Sequence, residues 1–386
     1  MTLRAITNVR LVLPGRARDG GLLFDGERIV EALWPHQPPP PDARLSDGRG
    51  RYLAPGFFDV HVHGGGGFDL MTADADQVRL YARWIVSRGV TSFLVSTAGR
   101  DHAQILARLR ALAPLAGAPG AAAARMAGFH LEGPYINPGR RGAFDPRWLR
   151  PPAVGEYEQL LEAAAGALRQ ITLAPELPGA GELIRAVVRS RVIAAMGHTD
   201  ATYAEAVRAV ALGVSHVTHC FNAMRAFSHR DPGVLGAVMT SDALTAELIG
   251  DGAHVDFAAA RVLVRALGSA RVVLVTDGMP LAGTADGEGV WEGTPIRVEG
   301  GKAVRVADGT IIGGVITLDQ TVRNAVEHLG VSLPAAAAMA STNPARAMQL
   351  ADRGVLAPGA LADFVLLDDD LRVTETWVAG ERVYAS

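Results

Sequence analysis

Six residues of this chain could hold and use a divalent metal: His61, His63, Glu132, His198, His219 and Asp277. Imidazole and carboxylate together suit zinc, iron or nickel, and a set without thiolates favours a catalytic site with an open position over a closed structural one. His61 and His63 stand two apart, so on a strand both side chains point to the same side. One cysteine, Cys220, excludes an intrachain disulfide framework and any multi-thiolate zinc or iron–sulfur site. Of the 37 lysines and arginines, only Lys302 is lysine. Chemistry that needs lysine must use that residue or be absent, whether a phosphate-binding loop, a Schiff base or a carbamylated metal bridge. Eleven histidines stand against it, and the expected site is histidine-based.

The elements that must position these residues show in the rhythm of the chain. Its 386 residues exceed one ordinary core of about 150 residues but match a barrel of about 250 plus a smaller module. Apolar, β-branched runs recur at Phe57–His63, Thr91–Thr97, Met126–Glu132, Ile171–Glu176, Val192–Thr199, Val214–Cys220, Leu244–Ile249 and Arg271–Asp277. Their mean spacing of about 31 residues suits eight βα units. Stretches of helical period lie between them, among them Asp76–Ser87, Ala103–Leu112, Glu156–Leu168 and Ala258–Leu267. The near-continuous apolar strands fit a parallel sheet covered on both faces. Both ends of the chain read as short strands and turns, as in Arg4–Val12 and Thr374–Val378. The expected fold is therefore α/β: a (β/α)8 TIM barrel over 54–356, with a small β-sandwich domain from 1–53 and 357–386. A Gly-rich stretch near 283–309 reads as a β-hairpin insertion with Lys302 at its turn. Barrel enzymes build their sites at the C-terminal ends of several strands, where His61, His63, Glu132, His198, His219 and Asp277 all fall.

Composition narrows the partners. A net charge of −3 and a pI near 6.4 argue against nucleic acid. No apolar run approaches the roughly 20 residues of a membrane helix, and Met1–Pro14 has no signal-peptide pattern. A soluble, cytoplasmic protein is expected, with no membrane partner.

Several motifs carry a resemblance: Pro55-Gly56-Phe57-Phe58-Asp59-Val60-His61-Val62-His63-Gly64, His130-Leu131-Glu132-Gly133-Pro134, Gly197-His198-Thr199, His219-Cys220-Phe221-Asn222-Ala223-Met224, Asp251-Gly252-Ala253-His254 and Thr276-Asp277-Gly278-Met279. With these the chain resembles the amidohydrolase superfamily over essentially its whole length. Glu-Gly-Pro and His-x-x-Asn-Ala-Met point within it to the branch that deacetylates N-acetylglucosamine-6-phosphate. The resemblance implies hydrolysis of that acetamide to glucosamine-6-phosphate and acetate by metal-activated water. Asp277 would act as general base and then acid. Glu132, His198 and His219 would hold one metal, and His61 and His63 a second with Glu132 bridging. That makes one or two ions per subunit, with zinc or iron expected. Asn222, Ala223, Arg230 and His254 would bind the phosphorylated amino sugar, Arg230 reaching a partner subunit's site in a homodimer.

Two segments depart from the branch's pattern. Phe144 stands where many one-metal members have a histidine that polarises the acetyl carbonyl, and phenylalanine offers no donor. Ile312–Thr317 replaces an Ala-Gly-Ser pattern at the acetyl pocket. Alternative substrates are therefore N-acetylgalactosamine-6-phosphate, an N-acyl amino acid or a cyclic amide. A phosphosugar-binding barrel without hydrolysis is the alternative from another class. The fourth apolar run ends Ala174-Pro175-Glu176 and Lys302 lies in the insertion, so the branch bridged by a carbamylated lysine is excluded and Glu132 is the expected bridge.

Overall fold

Eight buried runs of mainly apolar residues pair in parallel, in chain order, to form the centre of the molecule. In the computed structural model, which describes residues 3–117, 120–291 and 293–386, they are β1 (Phe57–Asp59), β2 (Val90–Ala98), β3 (Arg125–Glu132), β4 (Leu168–Leu173), β5 (Ile193–Met196), β6 (His216–Val217), β7 (Thr245–Ile249) and β8 (Val272–Val275). Each pairs with the next. Helices pack outside them because their apolar residues recur on one face: Ala75–Ile85 buries Val78, Tyr81, Ala82 and Ile85. Asp74 caps that helix in a reciprocal capping box with Gln77. The eight strands and their covering helices form the expected TIM barrel.

Barrel closure uses the functional segments themselves. β8 and β1 share no regular ladder among the described residues. Instead the Asp277 backbone N–H donates to the His61 carbonyl at 2.9 Å, and that of His63 to the Gly278 carbonyl at 2.8 Å. Strand β1 accordingly leaves regular pairing after Asp59, earlier than the apolar run suggests, because residues 61–63 bridge to the neighbouring segment after β8. β6 is likewise short, ending at Val217 just before the site residues.

Strands from both termini form a second eight-stranded sheet. Arg16–Asp25 and Phe364–Leu367 lie three places apart in its hydrogen-bonded order. A flat sheet would hold them about 14 Å apart at the usual strand spacing, yet the Phe24 and Phe364 rings are 5.5 Å apart. The sheet therefore folds over on itself, and Phe24, Phe364 and Trp377 meet between its halves. The Ile29 backbone N–H bonds the Ala360 carbonyl at 2.9 Å and ties the edge strand Arg28–Leu33 to the segment leading into Phe364–Leu367. This is the sandwich expected of the two termini.

After β8 the chain forms a three-stranded antiparallel sheet, Gly287–Trp291, Thr294–Glu299 and Lys302–Arg305. Glu292 lies outside the described residues. Lys302 opens the third strand, and Gly300 and Gly301, both at positive φ, make the turn before it. Leu318–Leu329, Leu333–Ala340 and Thr342–Ala347 then complete the helical wall. No helix among the described residues is long and apolar enough to cross a membrane.

Candidate active site

The strand ends bring the six residues together over the barrel mouth. His198 Nε2, His219 Nε2 and Glu132 Oε1 form a triangle with 3.0 Å edges. His61 Nε2 and His63 Nε2 lie 3.2 Å apart, with His63 Nε2 3.1 Å from Glu132 Oε2 and His61 Nε2 3.5 Å from Oε1. Both triads, His61–His63–Glu132 and Glu132–His198–His219, are buried, and Glu132 belongs to both. Asp277 Oδ1 stands 3.4 Å from His61 Nε2 and 3.3 Å from His63 Nε2.

These donors fit a metal. The Nδ1 atoms of His61 and His198 face the Glu247 carboxylate and the Arg140 carbonyl, both acceptors, so each donates there at 2.8 and 2.9 Å. In a neutral ring that turns the Nε2 lone pair toward the cluster. Lone pairs pressed against one carboxylate call for a cation among them. A tetrahedral zinc ion with bonds of roughly 2.0–2.1 Å holds its ligand atoms about 3.3 Å apart, close to the observed edges.

The backbone is strained where these side chains start. His198, His219 and Asp277 have φ of 49°, 26° and 47°, and Phe221 and Ala223 are also positive. Non-glycine residues there cost on the order of 1–3 kcal/mol each and persist only when their surroundings hold them. Around His198 that holding comes from Glu176, which accepts from Asn137 Nδ2 at 2.9 Å, Thr199 Oγ1 at 2.5 Å and the Asp200 backbone at 2.7 Å. Asp200 in turn binds Arg140 and Arg225.

Electrostatics keep the carboxylates charged. Burial works against ionisation of Glu132, but His61, His198 and His219 outweigh it and hold the group well below the ordinary carboxylate range. Asp277 is lowered against the same burial penalty by His61 and His63. Burial lowers His63 less than Asp277 and Glu132 raise it, to about 9.

A cavity of about 480 Å³ opens over the cluster, lined by His63, Glu132, His198, His219 and Asp277 below and by Asn222, Ala223 and His254 at one side. Asp251 accepts the His254 ring N–H at 2.7 Å. Phe144 lines the cavity and meets the His198 ring edge-on at 4.8 Å. The insertion contributes Trp291, Thr294 and Arg305, followed by Ile311–Gly313. Arg230 is exposed, on the loop after β6, and is not among the residues lining its own chain's cavity.

Sequence reasoning missed the layer beneath. Glu247, His216 and Gln170 form a buried polar cluster under His61. Ser96, His130, Thr172 and Thr218 link β2, β3, β4 and the end of β6 at 2.7–3.0 Å. His130 contacts His61 edge to face at 4.5 Å and lies below the ligands, not among them. The available signal was a charged residue in the middle of an otherwise apolar run, as Glu247 is in Leu244–Ile249. Met71, whose Sδ lies 3.2 Å from His63 Nδ1, carries no such signal.

Known proteins share this architecture. Residues 52–383 match the amidohydrolase family. The N-acetylglucosamine-6-phosphate deacetylase of Bacillus subtilis is 35% identical over 337 residues, 86% of this chain and 85% of that protein. The N-acetylgalactosamine-6-phosphate deacetylase of Escherichia coli O157:H7 is 37% identical over 332 residues, 85% of this chain and 87% of that one. A solved structure of a Mycobacterium smegmatis N-acetyl-D-glucosamine-6-phosphate deacetylase mutant, in complex with N-acetyl-D-glucosamine-6-phosphate, superposes with a TM-score of 0.92 at 34% identity, covering 100% of both chains. With its barrel, its paired histidine–carboxylate triads and a family match spanning most of its length, the chain belongs to the amidohydrolase family.

Proposed function

We propose that this protein hydrolyses the acetamide of N-acetylglucosamine-6-phosphate, giving glucosamine-6-phosphate and acetate. The observation that carries this reading is Asp277 Oδ1 within 3.4 Å of both His61 and His63, beside a shared Glu132 and in a cavity that also holds Asn222, Ala223 and His254. A divalent metal, zinc or iron, held by Glu132, His198 and His219 and by His61, His63 and Glu132, supplies when bound the Lewis acidity that activates water and polarises the acetyl carbonyl. Asp277, charged and facing the cluster, takes the proton of the attacking water. As the C–N bond breaks it returns that proton to the leaving nitrogen, so the amine departs neutral and the acyl group leaves as acetic acid, carrying the water's oxygen and second proton, which it then gives up to solvent to become acetate. Asn222, the Ala223 backbone and His254 orient the sugar phosphate from the cavity wall. Arg230, exposed outside its own cavity, is assigned to the phosphate in a partner's site of a homodimer, where its planar fork would bind two phosphate oxygens. The protein is placed in the cytoplasm.

A second reading, N-acetylgalactosamine-6-phosphate as substrate, has behind it the 37% identity to the Escherichia coli deacetylase for that sugar, which the Homo sapiens N-acetylglucosamine-6-phosphate deacetylase equals. The test is metal content per chain, followed by acetate release from both 6-phosphates and from unphosphorylated N-acetylglucosamine, before and after chelation. Acetate from N-acetylglucosamine-6-phosphate that stops on chelation and returns with metal is expected. Release only from the galactose epimer transfers the assignment to it, and no acetate from metal-loaded protein refutes the deacetylase reading.

A further inference from the structure

An acid occupies the middle of β7, between Ala246 and Leu248. Glu247 is fully buried, and both of its oxygens are engaged. Oε2 accepts from His61 Nδ1 at 2.8 Å and from the His219 backbone N–H at 3.0 Å. Oε1 accepts from the Gln170 amide at 2.9 Å and lies 3.1 Å from His216 Nε2. One carboxylate thus touches both triads from behind, through a ring of one and the backbone of the other.

The four ligand histidines are backed unequally. His61 has a carboxylate, His198 a backbone carbonyl and His63 the Met71 thioether, while His219 Nδ1 is buried without a hydrogen-bond partner. A carboxylate behind a histidine fixes its tautomer and ring orientation and makes the opposite nitrogen a stronger ligand; a thioether is a weak acceptor and does little of either. We propose that Glu247 is a positioning residue that sets the metal affinity of the His61–His63–Glu132 position, making His61 its strong anchor and leaving His63 the adaptable partner. This rests on the reading that the position takes a metal.

Glu247→Gln tests it with little disturbance of the fold. Gln170 Oε1 has no partner, so a flip of that amide lets it accept from the new NH2 group. His216 can move its proton to Nδ1 and donate to Thr245 Oγ1, 2.6 Å away. What is lost is the negative charge behind His61. The full chain, stripped of metal, is titrated with Co²⁺ while metal per chain and the visible cobalt spectrum are followed. The unaltered protein should take two ions. In Glu247→Gln the His61–His63–Glu132 position should weaken about 10–100-fold, with the other affinity changing far less. Gln170→Leu, which keeps the carboxylate on His61, should leave both affinities as they were.

One ion per chain in the unaltered protein overturns the two-metal reading and this proposal with it. Two ions with unchanged affinities in Glu247→Gln overturn the proposal alone. Equal losses at both positions, or the same loss in Gln170→Leu, also overturn it, because a general structural role would act that way. A further measurement needs no variant: imidazole ¹⁵N spectra of the zinc-loaded protein should show His61 protonated at Nδ1 only, and a proton on Nε2 refutes the assignment.

Discussion

Asp277 carries a backbone φ of 47° and sits 3.3–3.4 Å from the imidazole nitrogens of His61 and His63, a geometry that suits the proton transfer proposed for it at the cost of local strain. Replacing its carboxylate by an isosteric amide removes the proton acceptor and leaves the shape. Asp277→Asn should lower kcat by about 10²–10⁴-fold with metal content per chain retained; near-normal turnover would refute the base assignment. At this scale the ligand residues were legible in the sequence because each of their side chains belongs to a short list of metal donors. Phe144 was legible too, as an aromatic without a donor, and the structure sets it T-shaped to the His198 ring. Glu247 was not, since what it does depends on His61, 186 positions away, and neither was Met71, whose unremarkable side chain the loop after His63 turns back onto that ring.

Short connecting elements, more than the strands, aim the side chains. The turn after β7 shows how. Asp251 accepts the backbone N–H groups of Ala253 and His254 at 2.8 Å with one oxygen and the His254 ring N–H at 2.7 Å with the other. Burial lowers the pKa of His254, and Asp251 outweighs it, so the ring stays protonated to a higher pH than an ordinary histidine. A protonated ring favours a phosphate dianion, and KM for the phosphorylated sugar should therefore rise only as pH passes above the usual histidine range. Asp251→Asn keeps the two backbone contacts but drops the charge, leaving burial to dominate. Its KM should begin to rise at lower pH. Substrate phosphate titrates alike in both proteins, so the displacement between the two KM–pH curves reports His254, and coincident curves would remove it from the phosphate site. Helix and strand positions followed from periodicity, whereas the early end of β1 did not, because closure onto the segment after β8 sets it.

The whole molecule joins the candidate active site at the barrel mouth to a second core whose residues do not line the cavity. Phe24, Phe364 and Trp377 pack between the folded halves of the terminal sheet, and Trp377 is 6% exposed. Trp377→Ala should cost about 3–5 kcal/mol of stability, measured by denaturant unfolding, while the folded fraction keeps its kcat. A matching loss of kcat at unchanged stability would show that this sheet communicates with the barrel. The terminal strands were legible as strands and turns, but their joining into one sheet folded over itself is a contact between residues more than three hundred positions apart.

Alone, the sequence determined the donor types, the eightfold βα rhythm, the β character of both ends and the absence of a lysine able to bridge metals at the fourth strand. These are local properties, written in side-chain chemistry and in spacing along one element. Tertiary structure decided which oxygen of Glu132 faces which histidines, what stands behind each ligand ring, how β8 meets β1 and on which side of the cavity wall Arg230 lies. Those outcomes depend on strand stagger and closure around the barrel, which bring together atoms that have no fixed relation along the chain.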